Sequence, residues 1–120
     1  MNASKALTSL SAPVPELPVA DVERAQRCYR DALGFEINWL EPAKGIGAVS
    51  RPPAAIFFRR RELPFEPAVH WVFVPDIDAT YREWNHSAQR LQSLWSGNRG
   101  GLRQFTLEDI DGNRFYFHCD

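Results

Sequence analysis

Apolar and polar positions along the chain repeat one pattern twice. From about Val14 to Ala20 the residues are mostly apolar and read as a strand. Asp21 follows as a helix N-cap, and Val22, Ala25, Tyr29, Ala32 and Leu33 recur with helical period. Gly34 ends that helix in the position glycine favours. Phe35, Ile37 and Trp39 alternate like a strand, and Glu41-Pro42-Ala43-Lys44-Gly45 is a turn. Strands at Ile46–Ser50 and Ala54–Arg59, split by Pro52-Pro53, complete the first round. The second round predicts a strand at Val69–Val74, a cap at Asp76, and a helix through Ile77, Tyr81, Trp84 and Ala88. A short strand near Gln92–Trp95 and a glycine-containing loop at Gly97–Gly101 come next. Arg103–Glu108 and Arg114–His118 then flank Asp111-Gly112, a hairpin signal.

A shift of 55 residues superposes the two rounds: Val14 on Val69, Val19 on Val74, Asp21 on Asp76, Val22 on Ile77, Glu23 on Asp78, Arg27 on Arg82 and Tyr29 on Trp84. The matches fall on the strand, the cap and the buried helix stripe, where a repeated βα unit needs the same chemistry. The prediction is one α+β domain of two βαβββ modules, module 1 at about 13–62 and module 2 at about 66–119, behind a flexible arm at 1–12.

Composition narrows the function classes. The chain has 120 residues, 44% hydrophobic and 24% charged, as expected for one globular domain. A net charge of −1 gives no global attraction to nucleic acid or to an anionic membrane. The sequence has no apolar run of membrane-spanning length, and its start is a poor signal peptide, so the cytoplasm is the default. Cys28 and Cys119 match no paired-cysteine motif and are expected as thiols. Nucleophile-elbow, phosphate-loop and zinc-protease motifs are likewise missing from the sequence.

Five segments carry a resemblance. Leu17-Pro18-Val19-Ala20-Asp21, Cys28-Tyr29 and Leu33-Gly34-Phe35 look like the opening signature of the glyoxalase/bleomycin-resistance/extradiol-dioxygenase (vicinal oxygen chelate) superfamily. Asp109-Ile110-Asp111-Gly112-Asn113 resembles its closing hairpin. Gly101-Leu102-Arg103-Gln104-Phe105 is similar to a segment of the bleomycin-resistance branch. The resemblance implies that each module folds a curved mixed sheet around a shared cleft, with helices on the outer side. It also implies homodimers in which modules of two chains complete each cleft.

Catalytic members of that superfamily hold a divalent metal with His, Glu or Gln from four strands. The matching positions here are Val14, Val69, Tyr116 and, on the fourth strand, a residue near Ile56. Valine cannot coordinate a metal, so neither a standard metal site nor a cofactor is expected. His70 lies one residue from a matched position and should face away from the cleft, while His86 falls on the outer side of the second helix. Glu16 and His118 share face parity with the matched positions; Glu16 is a candidate general base if an apolar cleft raises its pKa. Arg59-Arg60-Arg61 is either a solvated strand end or an anion contact at the cleft rim.

Parity puts Glu16, Trp71, Phe73, Tyr116 and His118 on the cleft face; with Trp39, Trp95 and Arg103 they make the expected ligand-binding set, with no catalytic residue. Such a surface suits a flat hydrophobic or aromatic molecule, or else fills a barrel or a dimer interface. The reading is a metal-free homodimeric binding protein that sequesters a hydrophobic or aromatic compound such as an antibiotic. An enzyme of the superfamily (lyase, isomerase or dioxygenase) with a rebuilt site is the alternative, and a ligand-free structural dimer the third class. Bleomycin itself is cationic, whereas this chain is nearly neutral and carries an arginine run.

Overall fold

In the computed structural model, residues 6–85, 93–99 and 102–119 are described. The predicted rounds appear as β1 (Glu16–Val19), α1 (Val22–Leu33), β2 (Glu36–Glu41), β3 (Ile46–Arg51) and β4 (Ala54–Arg60), then β5 (Val69–Phe73), α2 (Ile77–Asn85), β6 (Ser93–Arg99), β7 (Leu102–Glu108) and β8 (Arg114–Cys119). Each round makes one four-stranded sheet, ordered β1-β4-β3-β2 and β5-β8-β7-β6. The first strand of each module runs parallel to the fourth, and the remaining pairs are antiparallel.

The caps act as their residue types require. Asp21 accepts from Arg24 N at 3.0 Å, and Asp76 from Ala79 N at 3.0 Å. Gly34 closes α1 at φ 75°, where its N–H reaches Arg30 O and the N–H of Phe35 reaches Tyr29 O, each at 3.2 Å. Two expectations change. Gly97, Asn98 and Arg99 are strand rather than loop, because they pair with Gln104, Arg103 and Leu102. Val14 lies before β1, not in it. Ala88 and His86 lie outside the described residues.

Each sheet has one face turned to helix and one left open. Leu17, Val19, Val49, Ile56 and Phe58 turn to α1, whereas Phe105, Leu107, Phe115 and Phe117 turn to α2; all are buried. These two helical faces share a single core. Tyr29 of α1 meets Phe115 of β8 edge-on at 6.4 Å, and Arg51 of β3 grips Glu83 of α2 with contacts of 2.6 and 2.9 Å. Within one chain the helices therefore lie between the modules, not on the outside. Gly47 permits close approach of α1: a Cβ there would stand 2.7 Å from Val22 Cγ1 and 2.8 Å from Gln26 Nε2.

The closing hairpin is the clamp between modules. Asn113 donates through Nδ2 to Pro18 O and accepts through Oδ1 from Ala68 N, each at 2.9 Å. Asp111 Oδ1 accepts from Ala20 N at 2.9 Å. Asp109 Oδ1 takes the N–H groups of Asp111 and Asn113 at 2.9 Å, and its Oδ2 takes the Tyr29 hydroxyl at 2.6 Å. Gly112, at φ 86°, supplies the turn that brings these groups together. The segment that carries part of the resemblance is here a structural joint.

Candidate functional site

Alternation along β5 puts His70 and Val72 towards the core side and leaves Val69, Trp71 and Phe73 on the open face, 55%, 64% and 55% exposed. β8 adds Tyr116 and His118, which pair with Trp71 and Phe73. Trp71 stacks on Tyr116 with centroids 4.7 Å apart and planes 29° from parallel. His118 stands edge-on to both Trp71 and Phe73 at 5.9 Å. The result is an aromatic plate across two strands. Arg114 lies beside it, donating to Tyr116 Oη at 3.4 Å and to Glu108 at 2.7 Å.

The open face of the first sheet is more polar. Glu16 accepts from Arg59 Nε at 2.8 Å and lies 3.8 Å from Arg61. The Arg59 hydrogen bond, reinforced by both arginine charges, holds the Glu16 pKa below its ordinary value. A general base needs the opposite shift, so this pairing does not meet the condition on which Glu16 would be a candidate base. Arg59 and Arg61 are partnered by Glu16, and Arg60 packs over Gly45.

Trp39 reaches this face through a bulge. Ile37 pairs with Val49, yet Trp39 pairs with Ala48, so two steps on β2 match one on β3. Strict alternation would have kept Trp39 with Ile37 against α1. Instead it is 41% exposed and meets Phe57 at 5.3 Å. The buried Gln26 side chain donates Nε2 to Trp39 O at 2.9 Å and to Ala48 O at 3.2 Å, satisfying backbone that the bulge disturbs. Gln26→Met should therefore cost about 1–3 kcal/mol in urea unfolding. It should also red-shift or quench Trp39 emission as the bulge loosens; an unchanged denaturation midpoint would show that Gln26 does not hold it.

Several sequence-assigned residues fare differently. Trp95 pairs with Thr106, in the row of Tyr116, and its side chain lies outside the described residues. Arg103 pairs with Asn98 and Cys119, and its side chain too lies outside the described residues. Phe57 was missed because the open position on β4 was taken to be Ile56. Pairing of Glu16 with Phe57 puts Phe57 on the open face and Ile56, 5% exposed, under α1.

Residues 14–43 match the family described as Bleomycin resistance protein-like N-terminal. The bleomycin-binding protein of the bleomycin producer Streptomyces verticillus, solved with copper(II)-bleomycin, superposes with a TM-score of 0.78 at 22% identity, over 95% of this chain and 99% of that one. The bleomycin resistance determinant encoded on transposon Tn5 superposes at 0.75 with 17% identity, over 92% and 98%. A glyoxalase/bleomycin resistance protein/dioxygenase from Nocardioides gives 0.67 with 16% identity, over 92% and 85%. The chain has the glyoxalase/bleomycin-resistance fold. A search of curated proteins gave no match.

The residues that the resemblance matches to metal-ligand positions do not suit a metal. Val14 and Val69 offer no donor atom, Ile56 points into the core, and Tyr116 is stacked under Trp71. Among the described residues no three His, Cys, Asp or Glu side chains gather as a metal-binding group. Nor is any described helix of this bleomycin-resistance fold long and apolar enough to cross a membrane.

Proposed function

We propose that this protein is a homodimeric small-molecule-binding protein that sequesters a flat hydrophobic or aromatic compound without changing it covalently. The observation that carries the reading is the exposed stack of Trp71 on Tyr116, flanked by Phe73 and His118. An exposed indole stacked on a phenol ring offers a large apolar surface held in a fixed orientation, which suits a planar guest. Glu16, Trp39 and Phe57 of the other sheet supply a second wall, from the same kind of open face.

Two features support the dimer. Val69, Trp71, Phe73 and Trp39 are large apolar side chains left in solvent by a single chain. The radius of gyration is 16.6 Å, against about 14 Å for a compact domain of this length. Joining modules of two chains across a two-fold axis covers those faces and encloses a cleft between them. The similarity to bleomycin-binding and bleomycin-resistance proteins supports counting a drug of the antibiotic class among the candidate guests. The arginine pair at Glu16 makes the first sheet a poorer match for a cationic drug than for a neutral aromatic one.

Sedimentation at micromolar concentration, with and without compound, tests both parts. The expected mass is twice 13.7 kDa, and titration with bleomycin and a panel of neutral aromatic drugs should give saturable tryptophan quenching with at least one. A mass of 13.7 kDa throughout overturns the dimer, and a panel that never saturates overturns the binding role.

A further inference from the structure

On the side of β5 that faces away from the Trp71–Tyr116 plate, a cavity of about 700 Å³ opens between the two modules. Its walls come from both: Tyr29, Leu33 and Ile56 from module 1, and Val72, Trp84 and Phe117 from module 2. Such a volume is in the range of pockets that hold small organic molecules. The wall is apolar except at a few points, and one of these is His70. Its ring stacks on Phe115 at 5.8 Å and 29°, and its Nδ1 is buried with no hydrogen-bond partner among the described residues. A buried nitrogen without a partner is costly and therefore uncommon, so a turn of the His70 ring that brings Nδ1 to a guest's polar group in the cavity would be favoured. Burial also pushes the His70 pKa down, which keeps the imidazole neutral near pH 7. With the ring proton on Nε2, Nδ1 accepts from a hydroxyl.

We propose that this inter-module cavity is a second binding site, for a small aromatic molecule carrying one hydroxyl group that donates to His70 Nδ1. The chain's own leading segment is the competing occupant, since Ala12, Pro13 and Val14 line the cavity mouth. Leu7 and Leu10, the apolar side chains of that segment, are instead 93% and 87% exposed and leave the cavity to a guest. Trp71 borders both regions, whereas Tyr116 stacks on the open face and does not line the cavity.

Calorimetric titration with 2-naphthol and with naphthalene tests the assignment on the full chain. Both should bind the parent. His70→Phe keeps a ring to stack on Phe115 but removes the acceptor. It should weaken 2-naphthol roughly tenfold and leave naphthalene within about twofold. In a Tyr116→Ala background, which disables the open-face plate, both compounds should still bind, and adding Val72→Trp, which fills the cavity, should abolish both. Circular dichroism confirms that each variant is folded; if Val72→Trp is not, the His70→Phe pair of affinities decides alone. The proposal is overturned if the parent binds neither compound up to its solubility limit, or if His70→Phe weakens both compounds equally or neither. Loss of binding in Tyr116→Ala would move the site to the open face. Binding that appears only after residues 2–11 are removed would show the cavity to be the seat of the leading segment.

Discussion

Asp109→Asn is expected to lower the unfolding free energy by about 3 kcal/mol, as removal of a buried, hydrogen-bonded charge does elsewhere. Asp109 is 2% exposed and faces only donors: the Tyr29 hydroxyl, two backbone N–H groups and, at 3.3 Å, Asn113 Nδ2. An amide presents one NH2 to this ring of donors, so at least one of them loses its acceptor. The damage should spread, because Tyr29 belongs to module 1 and the hairpin to module 2. Tyr29→Phe removes a single donor and should cost less, about 1–2 kcal/mol. Urea unfolding of the three proteins gives the order. Equal stabilities for the parent and Asp109→Asn would show that the hairpin is no clamp.

The same carboxyl has a pH signature. Burial raises the Asp109 pKa, and the hydrogen bonds from Tyr29, Asp111 and Asn113 oppose the rise without cancelling it. A folded-state pKa above the unfolded one means that the native state binds the proton more tightly. That contribution to stability is complete below the unfolded pKa and disappears as pH rises through the folded pKa. The stability gap between parent and Asp109→Asn should therefore be widest in acid and narrow over that window. Glu83 behaves oppositely: the Arg51 hydrogen bond lowers its pKa, so its contribution is lost as pH falls. Because Arg51 and Glu83 are 40% and 47% exposed, that second effect should be small. A gap that widens with rising pH would show that the hydrogen bonds to Asp109 outweigh its desolvation.

What was legible in the sequence depended on period. Asp21, Gly34 and Asp76 declared helix ends because few residues cap as well as they do. Val69, Trp71 and Phe73 declared one face because β5 is regular, so parity alone sorts its side chains. Where the period breaks, parity fails. Asn38 is the extra residue of a bulge, and only the structure shows that the bulge is what turns Trp39 outward. On β4 an error of one residue exchanged Phe57 for Ile56. Gln26 left a faint signal, a long polar side chain beside Ala25 and Tyr29 in the buried stripe. The placement of helices between modules was not readable, because it depends on contacts such as Tyr29 with Asp109, 80 residues apart.

Trp71→Ala should weaken the open-face guest by one to two orders of magnitude while leaving the fold intact. The ring is 64% exposed in one chain, so its removal leaves little cavity in the core. What it removes is contact surface. Stacking on a guest contributes roughly 0.5–1.5 kcal/mol beyond burial, and burial of the indole adds a similar or larger amount. About 2 kcal/mol in total corresponds to a loss of about thirtyfold. Trp71→Phe, which keeps a ring over Tyr116, should recover part of it. Arg27→Ala, on the exposed side of α1, should do little. Calorimetry is the proper readout, because Trp71 is itself a fluorophore and its loss alters the quenching signal. Tyr116→Ala gives the decisive companion result: it should weaken the open-face guest as Trp71→Ala does, since the two rings form one plate. If Trp71→Ala stays folded and dimeric and binds the guest as the parent does, the plate is interface and the guest binds elsewhere.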